Sequence, residues 1–144
     1  MAWGLTRARR RHFGSRTSRA LWTQLSNSLK RDAEPTVRAA TVTALGAFED
    51  PALVTRSLDL LLDGTLHASD HASMTRAISH PAAQRAAWLW LTTRAEALVE
   101  ALPDSAVDDL VWMGRGFCSF DDHDRVERFF RRPAFERAQR DLQL

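Results

Sequence analysis

Apolar residues recur at helical spacing along most of the chain, and no segment alternates in the way that predicts a half-buried strand. Within residues 17–30, a stripe at four-residue intervals consists of Leu21, Leu25 and Leu29. Within residues 35–48, a second stripe consists of Val37, Ala40, Ala44, Leu45 and Phe48. Each stripe predicts an amphipathic helix that buries one face against its neighbours.

Further stripes follow the same period towards the C-terminus. They consist of Val54, Leu58, Leu61 and Leu62; of Ala87, Trp88, Leu91, Ala95 and Leu98; of Val107, Leu110 and Val111; and of Phe135, Ala138 and Leu142. A short helix is predicted from Ser69 or Asp70 through Ile78. Another is predicted to open at Ser119, where Asp122 follows at the spacing of a capping box.

The predicted helices carry start and stop signals. Pro35 suits a first helical turn, and Asp50-Pro51 places a capping carboxylate before a proline whose missing N–H costs nothing there. His80-Pro81 opens another helix, and Gly64 is well placed to end the helix that follows Pro51. Because the links are only about two to six residues long, neighbouring helices should pack antiparallel. The predicted fold is all-α, with about eight antiparallel helices stacked as hairpins.

Charge divides the chain into two parts. Residues 1–31 hold eight of the 20 basic residues and none of the 18 acidic ones, so the remainder carries a net charge of −6. We predict a basic, flexible N-terminal arm over residues 1–16 and one helical domain over residues 17–144. A basic arm is able to bind nucleic acid, a membrane surface or an acidic partner, and the alternative is a solvated terminus. Neither a helix-turn-helix nor an aromatic-interleaved platform follows it, which favours the solvated terminus.

Candidate chemistry is sparse. None of the five histidines begins a His-Glu-x-x-His zinc helix, and the sequence has neither a Gly-rich phosphate loop nor a Gly-x-Ser-x-Gly elbow. His67 and His71 have a spacing that could bind a metal on a helix, but no third ligand accompanies them, so we predict no metal site. The lone Cys118 is interpreted as a small buried hydrophobe. We therefore predict no catalytic residue and no cofactor in this chain.

Residues 35–51 resemble a HEAT-type helical repeat, and a longer series of segments resembles one protein family. The series runs through residues 44–54, 56–60 and 63–64, then Pro81, Arg85, Ala87, Trp88, Leu91 and Leu98, and ends with Gly-Phe-Cys-Ser at 116–119 and Val-Glu-Arg-Phe-Phe at 126–130. In this order the text resembles the C-terminal helical domain of zinc aminopeptidases of the aminopeptidase N and puromycin-sensitive type. The likeness covers roughly residues 17–143.

The resemblance implies a HEAT-like α-superhelix that caps a separate zinc-bearing catalytic domain and helps to enclose the peptide chamber. The zinc would belong to that other domain. We take Arg38, Arg85, Trp88 and Arg115 as candidate contacts for a peptide or a partner, with core packing as the alternative for the tryptophan. The expected partners are a peptide or an aminopeptidase catalytic domain.

Two other functions stay open at this stage. One is a stand-alone HEAT-like adaptor that binds a different protein, and the less favoured one is a nucleic-acid-associated protein that uses the arm. The latter predicts binding that weakens steeply with salt. With a single cysteine, no apolar run of bilayer length and no secretory signal, we expect a cytoplasmic protein and no membrane partner.

Overall fold

The computed structural model describes residues 3–31, 34–114 and 120–135. Within those ranges the regular structure is entirely helical. The α-helices are α1 (Trp3–Leu29), α2 (Pro35–Gly46), α3 (Pro51–Asp59), α4 (Asp70–Ala77), α5 (Pro81–Ala101), α6 (Asp104–Leu110) and α7 (Phe120–Phe130), and short 3₁₀ turns cover Val111–Gly114 and Pro133–Phe135. The all-α prediction is confirmed, although the described part of the chain contains fewer α-helices than the eight predicted.

The helices stack in two layers. In one layer α2 packs on α4, and α4 packs on α6; in the other, α3 packs on α5. Helices α2 and α3 contact each other across the layers, and α1 covers the outer side of α2. This alternation is the arrangement of an α-superhelix, in which each hairpin buries its apolar face on the next one.

Three helix starts match the signals in the sequence. The Asp50 carboxylate accepts from the N–H of Ala52, and His80 Nδ1 accepts from the N–H of Ala82, each just before a proline at the first helical position. At α2 the cap is Glu34, whose carboxylate accepts from the N–H of Val37. Backbone and side-chain hydrogen bonds within this cap lower the pKa of the Glu34 carboxyl. These caps satisfy N–H groups that a helix start leaves without partners.

The buried stripe of α2 differs from the predicted one. Val37 is 52% exposed, whereas the buried side of the helix consists of Thr41, Val42, Leu45 and Gly46. In α1 the same kind of shift leaves Leu21 48% exposed and buries Trp22 instead. The reason is that α2 is covered by both α1 and α4, so the closest approach to α4, at Gly46, selects the face that turns inward.

The core runs through both layers. Most of the inward positions predicted around α3, α5 and α6 are buried, whereas Leu62 and Trp88 are partly buried. The buried ones are Val54, Leu58, Leu61, Ala87, Leu91, Ala95, Leu98, Val107 and Leu110. Phe135 is fully buried as well. Two polar side chains inside this core are paired across helices: Trp22 Nε1 donates to Ser57 Oγ (2.8 Å), and that hydroxyl donates to the Leu45 carbonyl (2.8 Å). A chain of hydrogen bonds therefore joins α1, α3 and α2.

Helix α5 bends at Arg94, whose backbone angles (φ −117°, ψ 16°) are not helical. Just before the bend, the hydroxyls of Thr92 and Thr93 both donate to the carbonyl of Leu89, at 3.1 and 2.6 Å. Such back-bonding competes with the helical hydrogen bond of that carbonyl and bends helices. Asp59 of α3 holds the bend from the other side, because it accepts from Trp90 Nε1 (2.8 Å) and pairs with Arg94 (3.6 Å).

Several predictions concern residues outside the described ranges. These are the helix start at Ser119, the buried Cys118, and the inward positions Ala138 and Leu142. The flexible arm over residues 1–16 stays a prediction; α1 begins at Trp3 and is continuous to Leu29. None of the described helices combines the length and the apolar character that a bilayer-spanning segment needs.

Candidate functional site

A cleft of about 520 Å³ separates α5 from α7. Trp88 and Thr92 line it from α5, and the opposite wall consists of Arg125, Arg128, Phe129 and Arg132. Trp88 and Thr92 are four residues apart and so lie on one face of α5, whereas Arg125, Arg128 and Phe129 share a face of α7 at helical spacing. Of the predicted contacts, Trp88 is thus on the wall of a cleft.

The floor of the cleft is aromatic. The rings of Trp88 and Phe129 meet edge to face with their centroids 5.1 Å apart, and Phe130 and Phe135 pack beneath them. Phe129 and Phe130 are buried, whereas Trp88 is half-buried. The tryptophan therefore packs on the core and also presents ring surface to the cleft, and its contact with a peptide stays a prediction.

The opposite wall is cationic, and contacts within the protein orient its guanidinium groups. Arg128 Nε donates to the carbonyl of Asp124 (3.2 Å), and Arg132 Cζ lies 5.0 Å from the centroid of the Phe129 ring. Arg125 forms a loose ion pair with Asp122 at 3.6 Å. Among the described residues, no carboxylate lines the cleft itself. The arrangement is suited to an anion that also carries an apolar group.

Arg85 is exposed on α5, three residues before Trp88 and seven before Thr92, which places it on the face of α5 that borders the cleft. Arg115 lies outside the described residues. The arginines of α7 were not among the predicted contacts. Their spacing was visible in the sequence, but a basic C-terminal turn is already accounted for by the helix macrodipole, so it gave no reason to expect a ligand.

Arg38, the remaining predicted contact, is occupied inside the protein. Its guanidinium donates to Asp70 Oδ2 through Nη2 (2.7 Å) and Nε (3.0 Å), to the Leu29 carbonyl (3.2 Å) and to the Thr65 carbonyl (2.9 Å). Only 12% of its side chain is exposed. This geometry favours a structural role that joins α1, α2 and the start of α4; contact with a peptide stays a prediction.

The two histidines with metal-like spacing are in different environments. His67 is exposed and its backbone N–H donates to Asp70, whereas His71 is buried at 4% exposure and its Nδ1 has no hydrogen-bond partner. Burial lowers the pKa of the His71 imidazole, against an opposing effect of the nearby carboxylates of Asp70 and Asp109. Asp70, the carboxylate between these histidines in sequence, accepts from Arg38 and from the His67 N–H through Oδ2.

One group of possible metal ligands occurs within the described ranges, on the surface of α7. It consists of His123, Asp124 and Glu127, whose ligand atoms lie within 4.8 Å of one another. All three residues are exposed, and Glu127 already pairs with Arg131. Exposed acidic groups of this kind are common without an ion, so we assign no metal to them.

Comparison with known proteins identifies the fold. Residues 6–143 match the family model described as the ERAP1-like C-terminal domain. The chain belongs to this family. The match extends over almost the whole sequence, and it confirms the resemblance to the C-terminal domain of aminopeptidases. An ERAP1-like C-terminal domain is therefore the unit that presents the cleft between α5 and α7.

A curated relative points in the same direction. Aminopeptidase 2, mitochondrial, from Saccharomyces cerevisiae is 32% identical over 97 residues, which cover 65% of this chain and 10% of the yeast protein. The matched part of the chain thus spans about a tenth of the length of that relative. No solved structure gives a significant match.

Proposed function

We propose that this ERAP1-like C-terminal domain is a non-catalytic part of a zinc aminopeptidase, which docks on a catalytic domain and shapes the chamber that receives peptide substrates. The family match over residues 6–143 carries the proposal. The yeast relative is named an aminopeptidase, and the chain resembles about a tenth of it. A segment that matches a tenth of an enzyme's length is better suited to be an accessory domain than a complete active site.

The hydrogen bonds between helices support the same function. Buried polar side chains form hydrogen bonds between helices, as in the pairs Arg38–Asp70 and Trp22–Ser57. A stack of hairpins held in this way supplies a stable surface for a partner, as repeat proteins do. The HEAT-like character of the hairpins and a cytoplasmic location belong to this proposal; the yeast relative is named as a mitochondrial protein.

The proposal predicts that the chain forms a complex with the catalytic part of such an aminopeptidase. The experiment co-expresses the 144-residue chain with a polypeptide that contains the zinc-bearing domain but lacks its own C-terminal domain. We expect one complex in gel filtration and faster turnover of peptides than with the catalytic polypeptide alone. The purified chain by itself is the control, and we expect no turnover from it.

Two outcomes would contradict the proposal. Peptide turnover by the purified chain with stoichiometric zinc would contradict the non-catalytic role. Absence of a complex, with both polypeptides folded, would contradict docking on a catalytic domain and would favour the adaptor function.

A further inference from the structure

The cleft between α5 and α7 combines an aromatic floor with a cationic wall. Its floor is the edge-to-face pair of Trp88 and Phe129, and its wall carries three arginines, Arg125, Arg128 and Arg132. The volume of about 520 Å³ lies within the range of roughly 300–1,000 Å³ that holds a small ligand or a short piece of chain.

The spacing of the arginines defines the anion that would fit. Arg125 and Arg128 are three residues apart in α7, which separates them by about 4.5 Å along the helix axis, and Arg132 follows a further turn along the chain. A single phosphate or carboxylate would meet one or two of these groups. A ligand that extends along the wall with several negative charges would meet all three.

The aromatic floor defines the rest of the ligand. An aromatic and half-buried surface gains most from apolar side chains, whereas the guanidinium groups favour carboxylates. Arg125 is 65% exposed on its side chain, so water screens its interaction and the binding should weaken with salt. An extended peptide in which acidic and apolar side chains alternate satisfies both surfaces at once.

We propose that this cleft binds a peptide segment in which acidic and apolar side chains alternate, and that it does so through the side-chain carboxylates of that segment. The inference rests on the proposed function, because a domain that faces a peptide chamber is one to which such segments are presented. Trp88 is the floor contact, and Arg125 and Arg128 are the principal charge contacts.

The test titrates the full chain with a dye-labelled octapeptide of alternating Glu and Leu, acetylated and amidated so that no terminal carboxylate is present. A peptide with Gln in place of each Glu is the matched ligand. The variant is R125Q/R128Q, and the control variant R76Q/R131Q removes the same charge from exposed arginines that do not line the cleft. Circular dichroism and urea titration establish that each variant is folded.

We expect the Glu peptide to bind at low salt, and we expect R125Q/R128Q to weaken its binding about tenfold, with little change in R76Q/R131Q. We also expect the Gln peptide to bind weakly to all forms of the protein. Equal weakening by both variants would overturn the proposal, because net charge alone would then explain binding. Equal binding of the Gln and Glu peptides would also overturn it, since the arginines would have no role.

Two further outcomes count against the inference. Absence of binding by the Glu peptide at any salt concentration overturns it. Binding of inorganic pyrophosphate as tightly as the peptide, with full competition, overturns it in favour of a small-anion site. The titration contains no catalytic polypeptide, and the co-expression experiment contains no acidic peptide. Peptide binding in the cleft and docking on a catalytic domain are therefore tested independently, and either proposal can be contradicted without the other.

Discussion

Arg38 and Asp70 are 32 residues apart in sequence, yet Arg38 Nη2 lies 2.7 Å from Asp70 Oδ2. Their side chains are only 12% and 9% exposed. The same guanidinium reaches backbone carbonyls of Leu29 and Thr65, and the same carboxylate accepts from the N–H of His67. One arginine thus ties the end of α1, the loop before α4 and α4 itself to α2.

Removal of this arginine should therefore be costly. We expect Arg38→Met to lower the free energy of unfolding by about 3 kcal/mol, because it leaves a poorly solvated carboxylate without its counter-charge. Urea denaturation measures the change. The matched control is Arg94→Gln, which breaks an ion pair with Asp59 whose side chains are 47% and 43% exposed and should cost less than about 1 kcal/mol. Equal losses for the two variants would contradict the role of Arg38 as an internal tie.

Ser57 is small and fully buried, and it both accepts from Trp22 and donates to Leu45. Ser57→Ala should lower the free energy of unfolding by about 1–3 kcal/mol, because the indole N–H then stays buried with no acceptor. Thr55→Ala, two residues away on α3, removes only a hydroxyl bonded to Pro51 within the same helix and should change stability by less than about 0.5 kcal/mol. A loss for Thr55→Ala as large as that for Ser57→Ala would argue against the inter-helix chain of hydrogen bonds.

Gly46 marks the closest approach of α2 to α4. A Cβ at this position would lie 2.6 Å from the Met74 carbonyl oxygen and 2.8 Å from Ala77 Cβ. Gly46→Ala should cost about 1–3 kcal/mol through overpacking, even though alanine favours a helix more than glycine does. Thr43→Ala on the exposed side of α2 is the control and should be nearly neutral. Stabilisation by Gly46→Ala would show that the two helices separate freely.

His71 should make stability depend on pH. Its pKa is lowered in the folded protein, chiefly by burial, while the unfolded chain has an imidazole pKa of about 6.5. The unfolded state then binds more protons as the pH falls below about 6.5, so the free energy of unfolding decreases until the folded pKa is passed. Urea midpoints at several pH values between neutral and mildly acidic conditions measure this dependence.

Comparison with variants separates His71 from the other histidines. We expect His71→Gln to lose part of the acid sensitivity, whereas His67→Gln, at an exposed position, should keep it. If the two variants respond to pH in the same way as the unmodified chain, the buried imidazole is not the source of the dependence.

The sequence predicted the helices better than it predicted their faces. Asp50-Pro51 and His80-Pro81 open helices where expected, because a cap and a proline act locally and need no knowledge of the neighbours. In the stripe that contains Val37, Leu45 is buried as predicted, but Val37 is exposed. Helix α2 is covered on two sides, and its period alone does not say which side is closer. Gly64 has a positive φ of 81°, as expected of a chain reversal, but α3 ends earlier, at Asp59.

For the cleft, too, the sequence indicated one wall but not the helix that lies opposite it. Trp88 was a candidate contact from the sequence, but the wall opposite it comes from residues more than 35 positions later. A periodic pattern within one helix carries no information about which distant helix faces it. The arginines of α7 became candidates only when their position against the α5 aromatic surface was known.

The bend in α5 has a consequence for everything that follows it in the chain. In a stack where each element is oriented by the one before, a few degrees of deflection in one helix are inherited by all later ones. Thr92 and Thr93 impose that deflection through a single acceptor, the carbonyl oxygen of Leu89. We therefore expect the orientation of α7, and with it the position of Arg128 opposite Trp88, to depend on these two hydroxyl groups of α5.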